Sequence, residues 1–151
     1  MTKLILKTGL LIFAFMNFVS CSDEVIQPLE KDEAVNLQFP SYFPEMTFDQ
    51  DENPITKNGV GLGRKLFYEG KLSRNNTISC GFCHIQEHAF THHGHTVSHG
   101  IDDQLGIRNA PPIQNMIFLK RYMWDGVIHN LKQQPIIPIT DAKEMDSSMP
   151  D

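Results

Sequence analysis

Cys80 and Cys83 are separated by two residues and followed at once by a histidine, in the run Cys80-Gly81-Phe82-Cys83-His84. Two thiols three positions apart project from one side of a helical turn, where each can add to one vinyl group of a porphyrin. The adjoining imidazole then lies beneath the ring as an axial iron ligand. A structural disulfide or a thioredoxin-like pair would use the same spacing, but the latter needs a βαβ pattern that this chain lacks. The residues point to covalently attached haem c, one in this chain, with Cys80 and Cys83 as the thioether sulfurs and His84 as the proximal ligand.

An unusual density of imidazoles follows: His88, His92, His93, His95 and His99, with His129 further on. One iron leaves one further axial position, so most of these side chains are expected to be solvated or hydrogen-bonded. A zinc or copper site at Thr91-His92-His93-Gly94-His95 lacks a fourth ligand at a sensible spacing. His99 differs, because the fifteen residues separating it from His84 are enough to wrap the haem edge and reach the opposite face. Methionine offers the alternative sixth ligand. Met145 lies 61 residues beyond His84, with Met116 and Met123 nearer, and a methionine-ligated haem would describe a mono-haem electron carrier.

The elements that must position these groups read as mainly α, with long irregular loops around the cofactor. Asn53-Pro54 is a helix-start signal, after which Val60, Gly63, Arg64 and Phe67 fall on one side, widened by Leu62 and Leu66. Gly70 and Ser73-Arg74-Asn75-Asn76 then form the loop that delivers Cys80. Asp125-Gly126 is expected to open a short helix through Ile128 and Leu131 that Pro135 ends, while Pro111-Pro112 and Pro138 break the chain elsewhere. No strand alternation of useful length is present. A core of this size should draw much of its stability from bound haem.

Length and composition set the frame. The 151 residues allow one compact domain, 40% hydrophobic and 21% charged content is ordinary for a globular chain, and the net charge of −5 with no basic run argues against nucleic acid as a partner. Residues 1–20 read as an export signal, with Lys3 and Lys7 ahead of the apolar run Leu10 to Met16. They end at Phe18-Val19-Ser20-Cys21, which resembles a lipobox, so Cys21 is the expected lipidation site and the membrane a partner through that anchor. The expected compartment is the cell envelope, as a periplasmic or outer-membrane lipoprotein. Residues 21–52 form an acidic tether and irregular arm with nine carboxylates between Ser22 and Glu52. Its later aromatics, Phe39, Tyr42, Phe43 and Phe48, are expected to lie against the body formed by 53–151.

An ordered set of motifs carries a family resemblance: Leu62-Gly63-Arg64-Lys65-Leu66-Phe67-Tyr68, Leu72-Ser73, Ile78 to His84, Arg108-Asn109-Ala110-Pro111, Trp124-Asp125-Gly126 and Glu144-Met145. From Asn53 to about Met145 the chain resembles the N-terminal haem domain of the bacterial di-haem cytochrome c peroxidases and MauG-like proteins. The resemblance implies a cytochrome c-like haem domain that reduces hydrogen peroxide with electrons from a small donor cytochrome or copper protein. By it, Cys80, Cys83 and His84 match the haem attachment set, and His99 matches a distal histidine that blocks the iron at rest. Gln134 matches a distal-pocket glutamine, Glu144 the acid-base glutamate, Trp124 the tryptophan between two haems, and Asn109 a ligand of an inter-domain calcium. Val127 stands where an arginine usually follows Trp-Asp-Gly. The family's second haem domain would lie beyond Asp151, so the resemblance implies a truncated product.

Overall fold

The computed structural model describes residues 32–149. The export segment, Cys21 and the first part of the acidic arm lie outside these residues. Helix is the only repetitive structure among the described residues: α1 (Lys57–Phe67), α2 (Cys80–Cys83) and α3 (Ile136–Thr140), with 3-10 turns at Gly70–Leu72, Gln86–His88, Ile101–Asp103 and Met116–Phe118. Most of the described residues lie in loops and turns, so the mainly helical expectation overstates the helix content. Strand pairing is reduced to isolated antiparallel bridges, among them His99 with Leu105 and Tyr122 with Ile128. No helix among the described residues is long and apolar enough to cross a membrane.

α1 begins three residues after the Asn53-Pro54 signal. The Val35 N–H donates to the Ile55 carbonyl (2.8 Å), which holds the chain extended up to Thr56. The Thr56 hydroxyl then accepts from the Gly59 N–H (3.1 Å) and caps the helix. Arg64 and Lys65 in the last turn complement the helix dipole. The apolar face of α1 is left uncovered by the described residues, Val60 and Leu62 being more than half exposed. Only its end reaches the haem motif, where Phe67 and Tyr68 pack over Gly81. A Cβ there would lie 2.5 Å from the Tyr68 ring, which is why a residue without a side chain follows Cys80.

The expected helix from Asp125 to Leu131 is replaced by a tight turn. The Tyr122 N–H donates to the Ile128 carbonyl (2.8 Å), and Met123 and Gly126 both take positive φ. Pro135 opens α3 instead of ending a helix. Pro138 is tolerated as the third residue of α3, because an N–H in the first helical turn has no intrahelical acceptor to lose.

The core is small. Ile78, Ile101 and Met145 pack together with Leu72 and Ile139 against them, and Ile101 is fully buried. The buried hydroxyl of Ser73 donates to the Gly70 carbonyl (2.8 Å) and accepts from the Ile78 N–H (3.1 Å), fixing the loop that leads into α2. Residues 32–52 lie on this body. Thr47 donates from its N–H to Ile117 and from its hydroxyl to Leu119 (2.8 and 2.7 Å), and Phe39 and Phe43 pack on Phe118.

Candidate haem-attachment site

The Cys80-to-Cys83 turn closes with the His84 N–H donating to the Cys80 carbonyl (2.9 Å), placing both thiols on one side and the imidazole immediately after them. Both cysteines are free and half-buried. Burial raises the Cys80 thiol, and burial, then the charges of Glu144 and Cys80, push Cys83 up to about 11. Each sulfur is therefore held as a neutral S–H, the form consumed when a thiol adds across a vinyl group.

His84 Nδ1 lies 2.9 Å from the Phe90 carbonyl oxygen. A carbonyl only accepts, so Nδ1 carries the proton and Nε2 presents its lone pair, the tautomer that an axial ligand needs. That acceptor exists because Ala89 and Phe90 both adopt left-handed φ and fold the chain back over the imidazole. Two free sulfurs on one turn and an imidazole in the ligating tautomer fit haem c.

His99 is brought to this centre from a distant loop. Its carbonyl accepts from the Cys83 thiol (3.5 Å), and its ring Nδ1 lies 2.6 Å from Asp103 Oδ1. The rings of His95 and His92 stand 4.3 and 5.8 Å from it, centroid to centroid. Of the two expected settings, solvated or hydrogen-bonded, His92 takes the second: it is 8% exposed and its Nδ1 accepts from the His99 N–H (3.4 Å). Burial first, then the neighbouring imidazoles of His95, His99 and His84, lower its proton affinity. His88 and His93 stack on each other at 3.8 Å. No group of three or more His, Cys, Asp or Glu among the described residues is arranged to hold a metal ion.

Glu144 joins the same region through the backbone. Its carbonyl accepts from the Ile101 N–H (2.8 Å), and Gly100 approaches so closely that a Cβ would fall against the Lys143 carbonyl and 2.7 Å from Glu144 Cα. The half-buried carboxyl is raised above the ordinary glutamate range, by desolvation first and by Asp141 second.

Trp124 and Asn109 form a second group. Trp124, 63% exposed, donates from Nε1 to the Asn109 carbonyl (3.1 Å). The Asn109 amide donates in turn to the carbonyls of His92 (3.1 Å) and His95 (3.4 Å). Its Oδ1 accepts from the Ala110 N–H (2.9 Å). Gln134 Nε2 reaches Met123 Sδ (3.5 Å), and no described hydrogen bond joins it to Glu144 or His99. Met145 packs in the core with Ile78 and Ile101.

Sequence reasoning missed the contributions of Phe90, His92 and Asp103. The spacing His99-x-x-x-Asp103 was a visible signal for the last. Phe90 acts through a backbone oxygen that no residue type announces.

Comparison with known proteins closes the argument. A family model described as di-haem cytochrome c peroxidase matches residues 57–151. The chain is 33% identical over 94 residues to a methylamine utilization protein MauG of Methylophilus methylotrophus, covering 62% of this chain and 28% of that protein. It is 33% identical over 125 residues to a cytochrome c551 peroxidase of Pseudomonas aeruginosa, covering 80% and 36%. A crystal structure of a MauG-like protein associated with microbial copper homeostasis superposes with a TM-score of 0.69 at 36% identity, over 76% of this chain and 33% of that one. The chain thus spans about a third of the length of these relatives. With the haem motif, its ligating tautomer and the ordered match in hand, the chain belongs to the di-haem cytochrome c peroxidase family.

Proposed function

We propose that residues 53–151 form a haem c domain serving the reduction of hydrogen peroxide to water, with the two electrons drawn from a small cytochrome or copper protein. The observation that carries this reading is the 2.9 Å contact of His84 Nδ1 with the Phe90 carbonyl, beside two free thiols on one turn. Cys80 and Cys83 would hold haem c through thioether bonds and His84 would ligate its iron, which would supply the redox chemistry. His99 would serve as the further iron ligand of the resting state, by the family resemblance.

Glu144 is the acid-base residue: its carboxylate takes a proton from one peroxide oxygen and returns it to the departing one. Desolvation favours the protonated form and so makes the carboxylate a stronger base than an exposed glutamate. Gln134 contributes an amide dipole that orients peroxide and product water. Trp124, hydrogen-bonded to Asn109 next to the His92–His95 segment, lies on the electron route to the site, and Asn109 is the candidate calcium ligand at an inter-domain contact. A methionine-ligated electron carrier is the second reading, and the packing of Met145 among Ile78 and Ile101 favours the first. Residues 1–20 are assigned as an export signal and Cys21 as a lipidated residue anchoring the protein in the cell envelope.

The test is maturation in a host competent for c-type cytochromes, followed by mass and peroxide turnover with a reduced donor cytochrome. A covalent haem increment that disappears in Cys80→Ala/Cys83→Ala, with donor oxidation dependent on peroxide, is expected. Colourless protein of unmodified mass would overturn the proposal.

A further inference from the structure

Beyond the attachment residues, one carboxylate is placed where it can govern the second axial imidazole. The segment Gly100–Gln104 is a tight turn in which the Gly100 N–H donates to the Gln104 carbonyl (2.9 Å) and the Gln104 N–H donates to the Ile101 carbonyl (3.0 Å). Two consecutive aspartates, Asp102 and Asp103, hold left-handed φ of 52° and 58° within it. Non-glycine residues seldom adopt this conformation, and successive examples persist only where surrounding contacts hold them.

Those contacts are visible. Asp102 accepts from Arg74 Nη2 (2.5 Å) and Asn75 Nδ2 (3.2 Å). Arg74 Nε also donates to Asp146 (2.7 Å), and Ile101 is wholly buried beneath the turn. The outcome of the strained backbone is the position of the next side chain: Asp103 Oδ1 lies 2.6 Å from His99 Nδ1. Asp103 is otherwise largely exposed, so the pair is not a by-product of core packing.

We infer that Asp103 is a positioning residue for His99, its carboxylate accepting the Nδ1 proton so that Nε2 is the ring's free ligating atom. This rests on the reading that His99 is the resting-state sixth ligand. A carboxylate behind a ligating imidazole fixes the ring's tautomer and orientation and makes it a stronger donor. His84 has the same arrangement built with a neutral carbonyl, from Phe90. The two imidazoles therefore differ in the charge of the group behind them, and the Asp103-backed one is the better donor to ferric iron. The same turn carries Gly100 and Ile101 against Glu144, so the orientation of His99 and the placement of the acid-base carboxyl share one support.

The test uses haem-loaded protein and three variants: Asp103→Asn, Asp103→Glu and His99→Ala. Ferric EPR gives the low-spin and high-spin fractions, and a redox titration gives the midpoint potential. Asp103→Asn is expected to raise the high-spin fraction at least threefold and move the potential upward, because a weaker imidazole donor stabilises ferric iron less. Asp103→Glu should restore most of both signals, and the thermal melt should stay close to wild type because Asp103 is exposed. Wild-type spectrum and potential in Asp103→Asn, alongside loss of the low-spin signal in His99→Ala, would overturn the positioning role and leave the ligand assignment standing. Retention of the low-spin signal in His99→Ala would overturn both.

Discussion

The backbone N–H of Ile101 donates to the carbonyl of Glu144 over 2.8 Å. This bond joins the turn that follows His99 to the segment that carries the candidate acid-base group. The seam is tight because Gly100 has no side chain: an added Cβ would strike the Lys143 carbonyl and lie 2.7 Å from Glu144 Cα. Both obstacles are backbone, which cannot swing aside as a side-chain tip can.

Gly100→Ala is therefore expected to cost about 3 kcal/mol, the upper part of the range for overpacking. Urea denaturation of haem-loaded protein measures this. A variant as stable as wild type would show that the seam opens freely.

Ile101 is the anchor of that seam and the fully buried large side chain of the described core. Ile101→Ala removes three methyl or methylene carbons from contact with Ile78 and Met145, and the fixed backbone around Gly100 limits collapse into the space. The expected loss is about 3 kcal/mol in chemical denaturation, a large share of the stability of so small a core.

Glu144 gives a pH dependence with a definite sign. Desolvation raises its folded-state value above the ordinary 4.5, so the protonated form is favoured by folding. Its contribution to stability is fully present below 4.5 and is lost as pH rises through the raised value. Glu144→Gln has no charge to desolvate. The melting temperature of the variant minus that of wild type should then increase from pH 4.5 upward and level off once wild-type Glu144 is ionised. In the same variant peroxide turnover should fall about 10²- to 10⁴-fold, the usual worth of a positioned acid-base group. A melting difference that is flat with pH would place the carboxyl in water.

What the sequence made legible was local. Cys80, Cys83 and His84 are consecutive or nearly so, and a helical turn fixes their relation whatever the rest of the chain does. The proximal tautomer was not legible, since it depends on left-handed Ala89 and Phe90 presenting a backbone oxygen. Nor was the burial of His92, which arises when the His92–His99 loop folds back on the haem motif. The helix expected after Asp125 failed for a related reason: the Tyr122–Ile128 bridge and positive φ at Met123 and Gly126 won over apolar spacing. Non-glycine residues at positive φ recur at these misread places, and side-chain periodicity carries no information about them.

Trp124 separates packing from electron transfer. It is the chain's single tryptophan, 63% exposed, and fixed by one hydrogen bond from Nε1 to the Asn109 carbonyl. Phenylalanine keeps an aromatic ring but deletes that donor, and the orphaned carbonyl can turn to water, so Trp124→Phe should change stability by less than about 0.5 kcal/mol. The proposed electron route is more demanding, because it would run over the hydrogen bond from the indole through Asn109 to the His92 and His95 carbonyls near His99. Stopped-flow mixing of oxidised haem-loaded protein with a reduced donor cytochrome should show slower transfer in the variant at unchanged melting temperature. Equal rates would remove Trp124 from the route, and a lowered melting temperature with equal rates would return it to a purely structural role.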